Sequence, residues 1–435
     1  MYWDKEIEVL PRPELESLQL RRLVETIAQA QKAPFYRDRL AKEGLSPESV
    51  RGLEDLRRFP FTTKQDLRDG FPDGFLAVPR EEVVRVHASS GTTGTPTAVY
   101  HTVKDLDRWS DLVARCLYMA GLRRSDVFQN CMSYGLFTGG LGLHYGAEKL
   151  GAMVVPSGVG NSRRQITLMR QFGTTAVHII PSYALKLLET FREMGLDPRK
   201  DTHLRIAVVG AEPHSEEIRR RIEDAYGVFA PNSYGLSEMN GPGVAFDCPH
   251  KTGLHLWEDS YILEIVDPKT LEPVPEGEVG EIVLTTLCRE AMPLIRYRTR
   301  DLARILPGSC PCGRTHRRLS RIQGRSDDMF IVKGVNIYPI QVEQVLMGFA
   351  EVGNNYVIHL DRQGASDRMT VKIEASEALL ALGLDRLKDL TRRIAHALRE
   401  EILVTPEVEL VEPGSLPATE GKAVRVVDNR PAQGD

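Results

Sequence analysis

The chain has 435 residues, of which 42% are hydrophobic, 27% charged and 7% aromatic, with a net charge of −4. That length exceeds one compact core and implies two or three domains; the composition excludes a disordered chain, and the charge argues against a nucleic-acid binder. The basic runs Arg219-Arg220-Arg221 and Arg317-Arg318 are balanced by acids elsewhere and read as solvated faces. The start, Met1-Tyr2-Trp3-Asp4-Lys5-Glu6, lacks the basic-then-apolar pattern of a leader, and no apolar run approaches ~20 residues. Six cysteines in so long a chain do not make a disulfide framework, so a cytoplasmic protein without a membrane span is expected.

Residues 13–32 place Leu15, Leu18, Leu23, Val24 and Ile27 broadly on one helical face, and a second helix is expected over 35–43. A turn-rich segment follows, ending in Phe59-Pro60-Phe61-Thr62-Thr63-Lys64. From about 83 to 290, short apolar, often β-branched runs (83–86, 152–156, 176–180, 206–209) alternate with amphipathic stretches such as 162–172 and Glu216–Tyr226. This is the pattern of α/β layers around a largely buried sheet. Strands dominate from about 260 to 305, at Tyr261–Val266 and 281–286. A last unit, 328–435, reads strand, helix, strand, strand, helix, strand, with strands at 352–360 and 369–375, a helix at 387–401 and a polar tail after Arg430. The expected fold class is α/β: a large N-terminal domain, residues 1–326, and a small α+β C-terminal domain, residues 327–435. They meet at the polar stretch Gly324-Arg325-Ser326-Asp327-Asp328.

The most informative short stretch is Ser89-Ser90-Gly91-Thr92-Thr93-Gly94-Thr95-Pro96-Thr97, directly after an expected strand at 83–87. Six of its nine residues carry a hydroxyl and two are glycine. Glycines let backbone N–H groups approach an anion, and hydroxyls add donors, so the stretch suits phosphate oxygens. It lacks the Gly-Lys-Ser/Thr ending of a Walker loop. Further on, Asn232-Ser233-Tyr234-Gly235-Leu236-Ser237-Glu238 offers an aromatic face, a tight turn, a hydroxyl and a carboxylate. Arg296-Tyr297-Arg298-Thr299-Arg300-Asp301 ends in an acid able to hold a ribose diol, and Glu420-Gly421-Lys422-Ala423 completes the set.

Together these motifs resemble the adenylate-forming superfamily of acyl-CoA synthetases, adenylation domains and luciferases. Within it the chain is similar to the phenylacetate–CoA ligase branch. The likeness covers nearly the whole chain, from Phe35-Tyr36-Arg37 and Phe59 to Leu67 through Tyr134-Gly135-Leu136-Phe137 and Gly210-Ala211-Glu212-Pro213. It ends on Gly324 to Met329 and Lys333-Gly334-Val335-Asn336-Ile337-Tyr338-Pro339. The resemblance implies an ATP-dependent ligase that forms an acyl-adenylate and transfers the acyl group to CoA, with magnesium required. By position, Ser90, Gly91, Thr92, Thr93, Gly94 and Thr95 would cradle the β- and γ-phosphates. Ala211, Glu212, Pro213, Asn232, Ser233, Tyr234 and Gly235 would line the adenine. Ser237 would touch the α-phosphate and Glu238 would hold magnesium. Asp301 would bind the ribose hydroxyls with Arg325 close by. Lys422 would reach the α-phosphate, Asp327 would be the hinge about which the small domain rotates, and Lys333 and Gly334 would then face CoA. One departure is Thr95, where the family usually has lysine.

Tyr134, Phe137, Gly140, His178, Ile180, Pro181 and Tyr234 are the acyl-pocket candidates by motif position. An aromatic and apolar wall suits an aryl or arylacetic acid, with phenylacetate the default of the branch. Gly139-Gly140-Leu141-Gly142 reads as close helix packing, not a second nucleotide loop. Cys310-Pro311-Cys312-Gly313 has the form of a metal knuckle. With Cys248 and His255 it would make a closed, structural Cys₃His zinc site; His250 or His316 are alternatives to His255, and many relatives of the branch show a similar pattern. Cys116, Cys131 and Cys288 stand apart. A homodimer is expected from the family likeness. Two other functions fit the same residues: an adenylating enzyme passing the acyl group to a carrier protein or amine, and a weak nucleotide-binding protein silenced at Thr95.

Overall fold

The computed structural model describes residues 2–89, 96–363, 366–375, 379, 383–416 and 424–430. The fold is mixed α/β, with a large N-terminal and a small C-terminal domain. By compactness the chain divides into two units. One comprises residues 1–180, 190–211 and 226–322; the other comprises 181–189, 212–225 and 323–435.

The first unit is built on a nine-stranded sheet among the described residues. From one edge it runs Met153–Val155, Val127–Asn130, Ala176–Ile179, Ile206–Gly210 and Asn232–Leu236, all parallel. Gly241–Asp247, Leu254–Leu256, Arg318–Leu319 and Ile305–Leu306 continue it in antiparallel pairing. The parallel strands are short and buried (Ala176–Ile179 and Ile206–Gly210 along their whole length), which is why they read as apolar runs. A three-stranded antiparallel sheet, Tyr261–Val266, Gly280–Thr286 and Tyr297–Ala303, lies in the same unit. Two helices, Val103–Met119 and Thr138–Leu150, pack closely: a Cβ at Gly142 would press into the Trp109 ring, and one at Gly146 into Val113. Within 139–142, Gly142 is therefore a helix-packing position as expected, whereas Gly140 lies against the Ser133 carbonyl.

The chain's beginning is stitched to a loop far along it. Glu8, fully buried, takes Arg314 in an ion pair at 2.6 Å, and Tyr2 donates to the Cys312 carbonyl at 2.9 Å. His316 Nε2 bonds the Ile7 carbonyl at 3.0 Å.

In the second unit, the hairpin Phe330–Val332/Val335–Ile337 precedes helix Pro339–Met347. A four-stranded sheet follows in the order Glu407–Val411, Ser366–Ala375, Val352–Gln363, Val426–Asp428, with both outer strands parallel to their neighbours. Helix Gly383–Ile402 packs against Pro339–Met347.

Helix Glu216–Tyr226 and strand Tyr261–Val266 have the expected bounds. The strand expected at 83–86 instead begins at Arg85 and runs to Ser89, because Pro79 starts a 3₁₀ turn over Arg80–Glu82 and pairing with Thr97–His101 sets the start. The last unit holds an unforeseen terminal strand, Val426–Asp428, and its first strand is a hairpin. The basic runs are not simple solvated faces. Arg219 and Arg318 are buried, and Arg318 donates to the carbonyls of Thr252, Pro307 and Gly308. Arg318 thus caps orphan backbone oxygens, whereas Arg219 pairs with Glu216 and Glu223 on its own helix.

Candidate active site

In an open sheet of this kind ligands gather at the carboxyl ends of the parallel strands. There, strand Asn232–Leu236 runs into the short 3₁₀ turn Ser237–Met239, and the chain reverses through Asn240 and Gly241, both left-handed, with φ of 68° and 69°. Gly235 permits this reversal, since a Cβ there would fall on the Gly241 carbonyl oxygen. The turn fixes three candidate side chains. Tyr234, 7% exposed, donates its phenol to Asp301 Oδ2 at 2.8 Å. Ser237 Oγ lies 3.1 Å from Thr138 Oγ1. Glu238 is 4% exposed, and its Oε1 makes no hydrogen bond among the described residues.

Asn232 is anchored by its N–H to Asp247 Oδ2 at 3.0 Å, and Ser233 is buried beside it. Arg298 and Arg300 both pair with the buried Glu281, at 2.8 and 3.6 Å.

Lys64, at the end of the stretch Phe59 to Lys64, has its Nζ 3.4 Å from Glu238 Oε1, a contact the sequence does not announce. Buried Arg289 donates to the Glu238 carbonyl at 2.7 Å. The signal that could have found Lys64 is its place after Thr62-Thr63. Thr63 caps helix Lys64–Asp69, which fixes the side chain at a helix start.

A second polar group lies at the ends of neighbouring strands. Asn130 Nδ2 donates to the Gly140 carbonyl at 2.7 Å and to Tyr134 Oη at 2.9 Å. Its Oδ1 must then be the acceptor facing His178 Nδ1, 3.0 Å away. This fixes the proton on Nδ1, and burial brings the imidazole pKa down to about 3, so the ring stays neutral. Tyr134 Oη continues to His144 Nδ1 at 3.1 Å, and its own pKa is pushed up to about 12 by burial. Of the acyl-pocket candidates, His178, Tyr134 and Gly140 thus share one network. Phe137, half-buried, precedes helix Thr138–Leu150 and Ile180 precedes helix Pro181–Glu193.

Ala211 holds a left-handed φ of 68° and Pro213 is exposed. Glu212 accepts from Ser182 N at 2.6 Å and Ser182 Oγ at 3.1 Å, closing the start of helix Pro181–Glu193. Arg325 forms a two-pronged ion pair with exposed Asp327, both bonds 2.9 Å. Lys333 and Gly334, with φ of 51° and 81°, are the exposed two-residue tip of the hairpin. Ser90 to Thr95 and Lys422 lie outside the described residues; strands Arg85–Ser89 and Thr97–His101 bracket the former.

Cys248, His255, Cys310 and Cys312 bring four potential ligand atoms within 4.8 Å of one another. Cys248 and Cys310 sulfurs are 3.6 Å apart, and Cys312 Sγ is 3.4 Å from His255 Nε2. A tetrahedron with Zn–S bonds of about 2.3 Å has edges of roughly 3.7 Å, so the set fits zinc. Crowding splits the thiols: a hydrogen bond from Cys248 holds Cys312 low, and Cys248 is raised in turn. His316 is ruled out as a ligand because Glu258 N and the Ile7 carbonyl occupy its two nitrogens, and His250 is exposed.

A family model of AMP-binding enzymes matches residues 15–288, and one of the AMP-binding enzyme C-terminal domain matches residues 334–430. The phenylacetate-coenzyme A ligase of Thermus thermophilus is 47% identical over 445 residues, spanning 99% of this chain and 100% of the relative. That of Escherichia coli K12 is 45% identical over 427 residues, spanning 98% and 97%. Among solved structures, 2-hydroxyisobutyryl-CoA ligase with 2-HIB-AMP in the postadenylation state matches with a TM-score of 0.93 at 32% identity, covering 98% of this chain and 92% of that one. The same ligase with 2-HIB-AMP and CoA in the thioesterification state matches with a TM-score of 0.73 at 33% identity, covering 99% and 92%.

Proposed function

The chain belongs to the AMP-binding enzyme family, on its phenylacetate–CoA ligase branch, and on that premise we propose that it activates an aryl or arylacetic acid with ATP and passes the acyl group to CoA. Phenylacetate is the default substrate; AMP and pyrophosphate are released. The observation that carries this is similarity to phenylacetate-coenzyme A ligases along nearly the whole length of both proteins.

A carboxylate is a poor nucleophile and is repelled by the triphosphate, so the first step depends on neutralised phosphates, a cation at the α-phosphorus and fixed geometry. Tyr234 presents its ring to the base, and its phenol holds Asp301, the carboxylate assigned to the ribose hydroxyls. Ser237 faces the α-phosphate. Glu238 would hold magnesium, and Lys64, whose Nζ is 3.4 Å from its Oε1, adds a positive charge beside that carboxylate. Magnesium when bound neutralises the phosphates. Lys422 brings the cation to the α-phosphate. Neutral His178, held by Asn130, and Tyr134 shape the acid's pocket with Gly140 and Phe137.

The small domain, residues 327–435, then turns about Asp327, which brings Lys333 and Gly334 toward CoA. Zinc in the Cys248, His255, Cys310 and Cys312 quartet is structural, because four protein ligands leave no position for substrate. A cytoplasmic homodimer completes the reading. It is supported by free cysteines and family likeness; no helix of the described residues is long and apolar enough to cross a membrane.

The test is pyrophosphate release with Mg-ATP over a panel of aryl, arylacetic and short aliphatic acids, with and without CoA. Release that needs the acid and turns over only with CoA is expected. Lys422→Ala should cut acid-dependent release about a hundredfold. Release indifferent to CoA would point to another acceptor, and none with any acid would leave a nucleotide-binding protein.

A further inference from the structure

Helices Glu216–Tyr226 and Pro339–Met347, both in the second unit, close each other's ends. Ser215 caps the first, its Oγ accepting the Ile218 N–H at 3.3 Å. In a self-contained capping box the residue at the position of Ile218 would be Glu or Gln, reaching back to the cap's own N–H. Ile218 cannot do this. Glu343 of the other helix takes that N–H instead, Ser215 N to Oε1 at 2.9 Å, from a site where the residue is 6% exposed. Its second oxygen lies 3.4 Å from the buried Tyr356 hydroxyl.

The favour is returned at the opposite end. Arg221, on the first helix, donates to the carbonyls of Met347 and Phe349, both at 2.8 Å, and to Asn354 Oδ1 at 2.9 Å. These carbonyls lie at and just past the end of helix Pro339–Met347, where a cation is favoured by the helix dipole. Two helices more than a hundred residues apart in sequence are thus joined by one carboxylate and one guanidinium, each serving the other's terminus.

We propose that Glu343 and Arg221 are positioning residues for adenylate formation. They hold the C-terminal segment on the segment that begins at Glu212 and Pro213, and the clasp opens before the thioester step. The proposal rests on the two-step ligase reading above. Ser215 and Arg221 precede Asp327, while Glu343 and the two carbonyls follow it, so a turn about Asp327 must break every bond of the clasp. Each group released is small and polar and passes to water readily, which suits a contact made and broken in every cycle.

The experiment uses the full chain with Glu343→Ala, Glu343→Gln and Arg221→Ala. Acid-dependent ATP–pyrophosphate exchange reads the first step; acyl-CoA formed from pre-made phenylacetyl-adenylate and CoA reads the second. Both alanine variants should lower exchange about tenfold and leave the second step unchanged or faster. Glu343→Gln, which keeps an acceptor for the Ser215 N–H, should recover most of the exchange. Equal losses in both steps, an unchanged first step, or no rescue by glutamine overturns the proposal. Failure of the ligase reading looks different: wild type itself then makes no acyl-CoA from supplied adenylate, and the proposal falls with it.

Discussion

The turn at Tyr234 and the clasp at Glu343 are both buried and both polar, yet they are built by opposite means. The turn is specified by backbone: Gly235 lies against the Gly241 carbonyl, Asn240 and Gly241 are left-handed, and Tyr261 Oη holds the Met239 carbonyl at 2.9 Å. The clasp is specified by two long side chains reaching across to another helix's end. Backbone constraint is stiff and cannot be undone without unfolding. Side-chain clasps come apart at the scale of a few hydrogen bonds. Groups proposed to stay put through both half-reactions are therefore on the first kind of support, and groups proposed to separate are on the second.

The sharpest way to break the comparison is Gly235→Ala. Its Cβ would meet backbone that has no room to withdraw, so a loss of about 4 kcal/mol or failure to fold is expected, read by soluble yield and thermal unfolding. If the variant folds at nearly wild-type stability, the turn is not held by its backbone. Next, Cys310→Ser should release one zinc per chain, measured by metal analysis, and lower stability by about 3 kcal/mol, since the quartet pins loops of the same stiff unit.

Glu343 gives the third test, through pH. Burial, joined by nearby Glu212, lifts its pKa to about 6 from 4.5; Arg425, the Ser215 N–H and Tyr356 pull it down. A raised carboxyl pKa means the folded chain binds the proton more tightly than the unfolded one. The resulting stability is present below about pH 4.5 and is lost as the pH rises through about 6. The stability difference between wild type and Glu343→Gln should therefore fall by about 2 kcal/mol across that window in urea titrations. A difference that rises with pH would mean that the charged form is the favoured one. Smallest of the four, Asp301→Asn should raise the KM for ATP about tenfold in the exchange assay while leaving unfolding unchanged.

Much of this was legible in the sequence where the signal is local. Helix Glu216–Tyr226 and strand Tyr261–Val266 follow directly from their periodicity. The Cys-x-Cys spacing of Cys310 and Cys312 predicted a quartet that the fold assembles from two distant loops. What could not be read is whatever depends on partners far along the chain. Nothing in the sequence marks Glu343 until Ser215 is placed beside it, and Arg221 and Arg318 read as solvated charges until the carbonyls they cap are in view. His178 inside an apolar strand gave no hint that Asn130 would set its tautomer, because the two are neighbours only through sheet pairing.

The stitching of residues 2–8 to the cysteine loop bears on how the chain comes off the ribosome. Tyr2 and its acceptor at Cys312 are 310 positions apart, and Glu8 waits 306 positions for Arg314. At ordinary synthesis rates of about 5–20 residues per second the opening segment spends tens of seconds without its partners. For that interval Glu8 lacks Arg314, its ion-pair partner at 2.6 Å, whereas Trp3 waits for the nearer Asp111 and Tyr118. Residues 2–8 are made long before the loop they join, and holding them by a chaperone during translation should raise the yield of native enzyme.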